Sequence, residues 1–257
     1  MISAFILIVG VLIFTALIGI KIYFTQKVPD WGEYVFGNAQ LIGTKEVQSN
    51  YFSVLSNNSN SLFAIIVDGV LDKISGKYAA VLAVETFKHE YATNKHKRIS
   101  FENFVTQALV KLNKNIEDHL YEQTVSLKFA IVLIENGMMH IAETPGNAVF
   151  LCRNREILRI SGNKATKSLV SNPQIKISRL LSARNDVIML ASSGAVDSLT
   201  EMEILCRLSS QSHPQHKCQK LLQQSRQKHL KNQSNVTIIV AERTTRTAPA
   251  WDRDLES

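Results

Sequence analysis

The chain of 257 residues is 45% hydrophobic and 20% charged, which suits one globular domain of ordinary composition and one additional element. Its three cysteines are an odd number without metal-ligand spacing, which argues against a disulfide framework and indicates a reducing compartment. The net charge of +7 comes with no sequence signature of a nucleic-acid-binding fold, so we expect no nucleic-acid partner; the basic residues form a solvated surface or attract an anionic membrane.

The N-terminal segment predicts a membrane anchor. Residues 2–20 carry no charged side chain and, with the apolar residues after Lys21, form a run long enough to cross a bilayer as a helix. A cleaved signal peptide is the alternative, but no basic residue precedes the run and no small-residue cleavage site follows it. Because Lys21 and Lys27 both follow the run, the positive-inside rule places the N-terminus outside the cell and the later residues in the cytoplasm. We expect a single-pass anchor over residues 1–27 and a polar linker over residues 28–33.

Three strands are predicted next, and the third ends on an acidic residue. Residues 34–43 and 51–55 alternate well enough to predict two short strands. The run Phe63–Val67 is continuously apolar and rich in β-branched residues, which indicates a buried strand. It continues into Asp68 and Gly69. A buried carboxylate is unfavourable unless a cation or hydrogen-bond donors lie nearby, so Asp68 is a candidate functional residue; the alternative is that Asp-Gly only makes a turn.

Two amphipathic helices and a second group of strands follow. Apolar residues recur at helical spacing over residues 75–89 and 99–121, where Ser100 supplies an N-cap. The strands that come after these helices include a hairpin at Asn136-Gly137. They are residues 128–134, 138–143, 147–152, 156–160 and 186–192. The last elements are two helices and a strand, at residues 200–208, 215–231 and 236–241.

The order of these elements predicts an α+β fold. Runs of strands and runs of helices are segregated along the chain, which indicates helices stacked on a mostly antiparallel sandwich. Residues 162–178 are polar and have no regular pattern, and residues 243–257 form a charged tail that we expect to be disordered. One globular domain is therefore expected over residues 34–242.

Five short motifs occur in order within this domain. The first is Gly43–Asn50 (GTKEVQSN), and the second is Asp68-Gly69 followed by GKYA at residues 76–79. The other three motifs begin GNAV, SSGAVD and SNVT, at Gly146, Ser192 and Ser234. In this order they resemble the motifs of the metal-dependent protein phosphatases of the type 2C class, the PPM family, in their short bacterial form. This resemblance implies an α-β-β-α sandwich of two antiparallel sheets flanked by helices, here preceded by the transmembrane helix.

The resemblance also implies a metal site, most of whose ligands differ here. In that family carboxylates hold two Mg²⁺ or Mn²⁺ ions, and a bridging water attacks phosphorus. Of these ligands the chain keeps only the bridging carboxylate, at Asp68, and the backbone carbonyl of Gly69. The other three acidic positions are occupied by neutral residues, Asn50, Ser193 and Ser234. Lys45 stands where the family has a phosphate-binding arginine, so it keeps the charge but loses the bidentate geometry.

One carboxylate cannot compensate for the dehydration of two divalent ions. We therefore expect no metal, no other cofactor and no catalytic residue, and Asp68 and Gly69 are interpreted as vestigial ligands. A metal-free polar pocket is expected around Asp68 instead. It comprises Lys45, Asn50, Asp68, Gly69, Ser193, Ser234 and Asn235.

Three interpretations of the function stay open. The first, which the substitutions favour, is a membrane-anchored pseudophosphatase in the cytoplasm that binds, scaffolds or regulates one or more protein partners. The second is an active but atypical Ser/Thr phosphoprotein phosphatase that holds Mg²⁺ or Mn²⁺ through Asp68 and neutral oxygens. The third is an unrelated α+β sandwich.

Overall fold

The computed structural model describes residues 14–15, 33–57, 61–69, 75–94, 97, 99–119, 126–160, 164–167 and 174–243. The chain divides into two units, residues 1–31 and 32–257, and the fold given below is that of the second unit. The expected anchor, linker and tail lie almost wholly outside the described residues. Within the described ranges, no helix combines the length and the apolar character that crossing a bilayer requires.

Two antiparallel sheets form the centre of the domain. The five-stranded sheet, called sheet A, has the order β1 (Tyr34–Leu41), β11 (Val236–Arg243), β10 (Val187–Ala191), β6 (Ala148–Arg153) and β7 (Glu156–Ile160). The six-stranded sheet, called sheet B, has the order β2 (Asn50–Asn57), β3 (Ser61–Gly69), β4 (Leu127–Glu135), β5 (Met138–Glu143), β9 (Gln174–Leu181) and β8 (Lys164–Lys167). Each neighbouring pair runs antiparallel.

Helices cover the outer face of each sheet. The long helices α1 (Ser75–Asn94) and α2 (Phe101–His119) pack on sheet B, where their apolar faces share one core with β3 and β4. Helices α4 (Glu201–Leu208) and α5 (Pro214–Gln227) pack on sheet A, and the short α3 (Ser193–Ser198) lies between β10 and α4 in the chain. A third core fills the space between the sheets. The predicted α+β sandwich of two antiparallel sheets flanked by helices is confirmed.

Strand β3 is central because both of its faces are buried. Phe63, Ile65 and Val67 contact the helices, whereas Leu62, Ala64 and Ile66 contact the core between the sheets. Side chains alternate along a strand, so Asp68 continues the second set and lies on the face that meets sheet A. The fold thus places this carboxylate at one end of the interface between the two sheets.

The structure differs from the sequence prediction in two segments. Residues 162–178 were expected to lack regular structure, but they contain β8 and most of β9. Strand β9 obtains its hydrogen bonds from β5, with Ser178 opposite Ile141, and this long-range pairing has no local signal. Helix α3 was also missed, because six residues are too few to show a helical period.

Gly69 is required by packing rather than by a turn. A Cβ atom at this position would overlap the backbone carbonyl of Gly76 in the first turn of α1.

We predict that Gly69→Ala lowers the free energy of unfolding by about 3 kcal/mol or more, since neither backbone can move without disturbing a buried element. Urea denaturation of the full-length chain measures this. Gly137→Ala is the control, because nothing lies within 4 Å of its Cβ position and only its positive φ of +75° resists the change, at about 1–2 kcal/mol. Equal losses in the two variants would contradict this account of Gly69.

Candidate functional site

Asp68 is the centre of the candidate site. It is 4% exposed, and its neighbours across the sheet are Asn50 in β2 and Lys128 in β4. The hydroxyl of Ser193, the first residue of α3, donates a hydrogen bond to Asp68 Oδ2 at 2.9 Å. The hydroxyl of Ser49 lies 3.5 Å from Asp68 Oδ1, which is a weak contact. Two hydroxyl groups from different parts of the chain therefore face the two carboxylate oxygens.

Electrostatics at Asp68 are dominated by burial. Burial raises the pKa of the Asp68 carboxyl above its ordinary value, and the Ser193 hydrogen bond opposes that rise. The positive charges of Lys45 and Lys128 act in the same direction as the Ser193 hydrogen bond. Neither lysine is among the ion pairs within 4.0 Å that the described residues form. The carboxylate is thus only partly compensated.

Asn50 joins the two sheets beside Asp68. Its amide nitrogen donates to the backbone carbonyl of Asn235 at 3.0 Å and lies 3.2 Å from the hydroxyl oxygen of Thr237. The carbonyl acceptor fixes the orientation of the amide, because a carbonyl oxygen can bond only to its nitrogen. The amide oxygen of Asn50 is buried and has no hydrogen-bond partner among the described residues. The site therefore contains an unused neutral acceptor.

Asn235 holds the loop that carries Ser49. Its amide oxygen accepts from the backbone N–H of Gly43 at 3.1 Å. Its amide nitrogen donates to the carbonyl of Val47 at 2.9 Å and contacts the Ser49 hydroxyl at 3.2 Å. This side chain therefore spans both ends of the loop between β1 and β2.

The start of α3 is fixed by a second asparagine. The amide oxygen of Asn147 accepts from the backbone N–H of Ser193 at 3.0 Å, while its amide nitrogen is buried without a partner in the described ranges. The neighbouring Ser192 hydroxyl donates to the carbonyl of Asn235 at 3.1 Å and accepts from the N–H of Thr237 at 2.8 Å. These bonds set the position from which the Ser193 hydroxyl reaches Asp68.

The predicted site residues occupy different roles in this network. Ser193 contacts Asp68 directly, whereas Asn50 and Asn235 belong to the same network but donate to other acceptors. The side chain of Ser234 makes no hydrogen bond within the described ranges. Its backbone packs instead against Gly194, where a Cβ atom would overlap it. The expected pocket includes Ser234, but in the described residues it is the Ser234 backbone, not its hydroxyl, that approaches the start of α3. Lys45 is exposed, as expected at the rim.

Sequence reasoning did not assign four residues to this site. Ser49, Asn147 and Thr237 lie within or beside the motifs that were compared, but no motif position marked them as hydrogen-bonding partners. Lys128 precedes the buried run Phe129–Ile134 and shares a strand face with Ala130 and Val132, which face the core between the sheets. The alternation of side chains along the strand was therefore the sequence signal that Lys128 faces the core between the sheets.

The side chains present do not fit a centre of two divalent cations. Such ions need several charged oxygen ligands, and Asp68 is the only carboxylate in this hydrogen-bonded network. Ser193 already donates to one of its oxygens. Across the parts of the chain that the structure describes, no three His, Cys, Asp or Glu residues are grouped so that they could hold a metal ion.

Comparison with known proteins identifies the fold. No protein-family model and no curated protein matches the chain. The serine/threonine phosphatase of S. agalactiae superimposes with a TM-score of 0.70 at 14% identity, covering 81% of this chain and 99% of that one. The PstP/Ppp serine/threonine phosphatase of Mycobacterium tuberculosis gives 0.69 at 12% identity over 82% and 98%. PppA of Pseudomonas aeruginosa, described as a key regulatory component of T6SS, gives 0.66 at 14% identity over 82% and 98%.

The domain therefore has the fold of the bacterial type 2C serine/threonine phosphatases, as its motifs predicted. The interpretation as an unrelated α+β sandwich is wrong. At identities of 12–14% these neighbours establish the fold alone, so the chemistry of this chain must be inferred from its own side chains.

Asp68→Asn tests whether the carboxylate charge stabilises the fold. Because burial raises the pKa of Asp68, its ionisation weakens the folded state as the pH rises through the folded-state pKa. We predict that the variant is within about 1 kcal/mol of the unaltered chain at pH 7, or more stable, because an amide still accepts from Ser193. Toward pH 4 the unaltered chain should gain stability relative to Asp68→Asn, because Asp68 becomes protonated in its folded state. Urea denaturation as a function of pH measures both.

Asp186→Asn is the matched control. Asp186 is 2% exposed, and Arg153 binds its two oxygens at 2.7 and 2.8 Å. Loss of this pair, in which Asp186 is buried and Arg153 is partly exposed, should cost about 2 kcal/mol at pH 7. A comparable loss in Asp68→Asn would show that the Asp68 carboxylate has a strong positive partner, and would contradict the partial compensation inferred here.

Proposed function

We propose that this chain is a pseudophosphatase, a type 2C fold that acts as a binding or regulatory module without hydrolysing phosphate esters. The observation that supports this most directly is the hydrogen bond from Ser193 to Asp68. A neutral hydroxyl, at a position where the phosphatases have an acid, contacts the one carboxylate that the motifs retain. Without the metal ions no water is activated for attack on phosphorus, so the chemical step of the fold has no nucleophile.

The proposed role is regulatory or scaffolding, through protein partners. The fold offers a large folded surface, and one neighbour of similar architecture is described as a regulatory component. The sequence supports attachment to the cell membrane through residues 1–27, with the domain in the cytoplasm. A module of this kind would bring its partner to the membrane rather than alter it chemically.

One observation favours the second interpretation, an atypical phosphatase. The amide oxygen of Asn50 is buried beside Asp68 and has no hydrogen-bond partner in the described residues. Oxygen atoms of this kind are acceptable ligands for Mg²⁺ or Mn²⁺. A single cation held by Asp68 and Asn50 would be bound weakly, since the pair supplies one negative charge.

We predict no hydrolysis and no metal response. The full-length chain, incubated with millimolar Mn²⁺ or Mg²⁺, should leave p-nitrophenyl phosphate and a phosphothreonine peptide intact, because no second carboxylate holds the ion. Its unfolding temperature should change by less than about 1 °C, the shift expected when the dissociation constant exceeds the ion concentration. Asp68→Ala is the matched variant. A stabilisation by Mn²⁺ that this substitution abolishes would replace the pseudophosphatase by the atypical enzyme.

A second experiment addresses the anchor. Deletion of residues 1–27 should release the chain from the membrane fraction and leave its circular dichroism spectrum folded, because no strand or helix of the sandwich is removed. In intact cells, a reporter enzyme that works only in the cytoplasm should be active when it is fused after Ser257, because the domain is expected to face the cytoplasm. Export of that reporter, or retention of the truncated chain in membranes, would contradict the proposed topology.

A further inference from the structure

Lys128 is placed beside Asp68 by strand pairing. It lies directly opposite Asp68 in the register of β3 and β4, and such cross-strand neighbours have Cβ atoms about 4.5–5.5 Å apart. Both side chains are on the strand face that meets sheet A. Lys128 is half-buried, whereas the other lysine of the site, Lys45, is exposed in a loop.

The loop between β5 and β6 leaves room for the Lys128 side chain. The Cδ, Nζ and Cε atoms of Lys128 lie 3.0, 3.3 and 3.4 Å from the position that a Cβ on Gly146 would occupy. Gly146 also has a φ of +106°, which side-chain-bearing residues rarely adopt. The absence of a side chain at Gly146 therefore leaves space for Lys128 beside this loop. The next residue of this loop is Asn147, which holds Ser193 in place.

The ammonium of Lys128 is otherwise uncommitted. In the part of the chain that the structure describes, the Lys128 side chain approaches Gly146 and interacts electrostatically with Asp68, as Lys45 also does. The buried Lys217 differs from Lys128, because its ammonium donates to the Glu242 carboxylate at 2.7 Å. Lys128 and Asp68 are not among the ion pairs within 4.0 Å that the described residues form, so the ammonium acts on this carboxylate through a longer-range electrostatic interaction.

We propose that Lys128 is a resident cation of this site, which partly compensates Asp68 and disfavours divalent cations in the pocket. The proposal rests on the pseudophosphatase function and adds a residue that determines ion selectivity. One fixed positive charge near the carboxylate offsets part of its charge, whereas a divalent ion bound beside them would be repelled by the ammonium. The neutral residues Asn50, Ser193 and Ser234 are then only part of the reason why we expect the site to bind no metal ion.

The test measures Mn²⁺ binding in a chain with restored acids. The background carries Asn50→Asp, Ser193→Asp and Ser234→Asp in the full-length chain, and isothermal titration calorimetry gives the dissociation constant for Mn²⁺. Adding Lys128→Met should tighten binding by about tenfold or more, because a charge close to the ion is removed. Lys128→Arg keeps the charge and should leave the affinity weak. Lys45→Met, which removes an exposed and solvent-screened charge, should change it by less than about threefold.

Two outcomes would overturn the proposal. One is a Lys128→Met variant that binds Mn²⁺ no more tightly than the background, and the other is an equal gain from Lys45→Met. If the restored background does not fold, the same comparison is made in a chain that carries Ser193→Asp alone, where adding Lys128→Met should increase the stabilisation by millimolar Mn²⁺ and adding Lys45→Met should not. Failure of the proposed function is distinguishable, since it would appear as hydrolysis by the unaltered chain.

Discussion

The burial of one carboxylate, Asp68, is the constraint on which the site depends. A charge at the end of a fully buried strand is unfavourable unless donors or cations compensate it. Here the nearest donor is the Ser193 hydroxyl, and the nearest cation by strand register is Lys128. The loop at Gly146 and Asn147 leaves room for the lysine and accepts from the Ser193 backbone. The loop after β5 thus adjoins both groups.

The asparagines of this site connect the two sheets without carrying charge. Asn50 in sheet B donates to the chain just before β11 in sheet A, and Asn235 in turn holds the loop between β1 and β2. In a metal centre, cations bound by several carboxylates perform this cross-linking. Amide groups connect the sheets here through hydrogen bonds and without like-charge repulsion.

Similarity of fold leaves the function to the side chains. The chain superimposes on the PstP/Ppp serine/threonine phosphatase of Mycobacterium tuberculosis over 82% of its length, although only 12% of residues are identical. Likeness at this identity establishes the fold alone. The proposed recognition role therefore depends on the side chains around Asp68, where Ser193 and Asn50 supply neutral groups.

The sequence alone determined the strand and helix order, the α+β class, and the importance of Asp68, because hydrophobic periodicity and a buried acid are local signals. It also identified Ser193 through its motif. Strand β9 and the role of Lys128 were decided only by the tertiary structure, since both depend on pairing with distant strands. The close approach of Gly194 to the Ser234 backbone was likewise visible only in the tertiary structure. Local pattern gives the face of a strand, whereas register and close backbone approach decide which side chains meet on it.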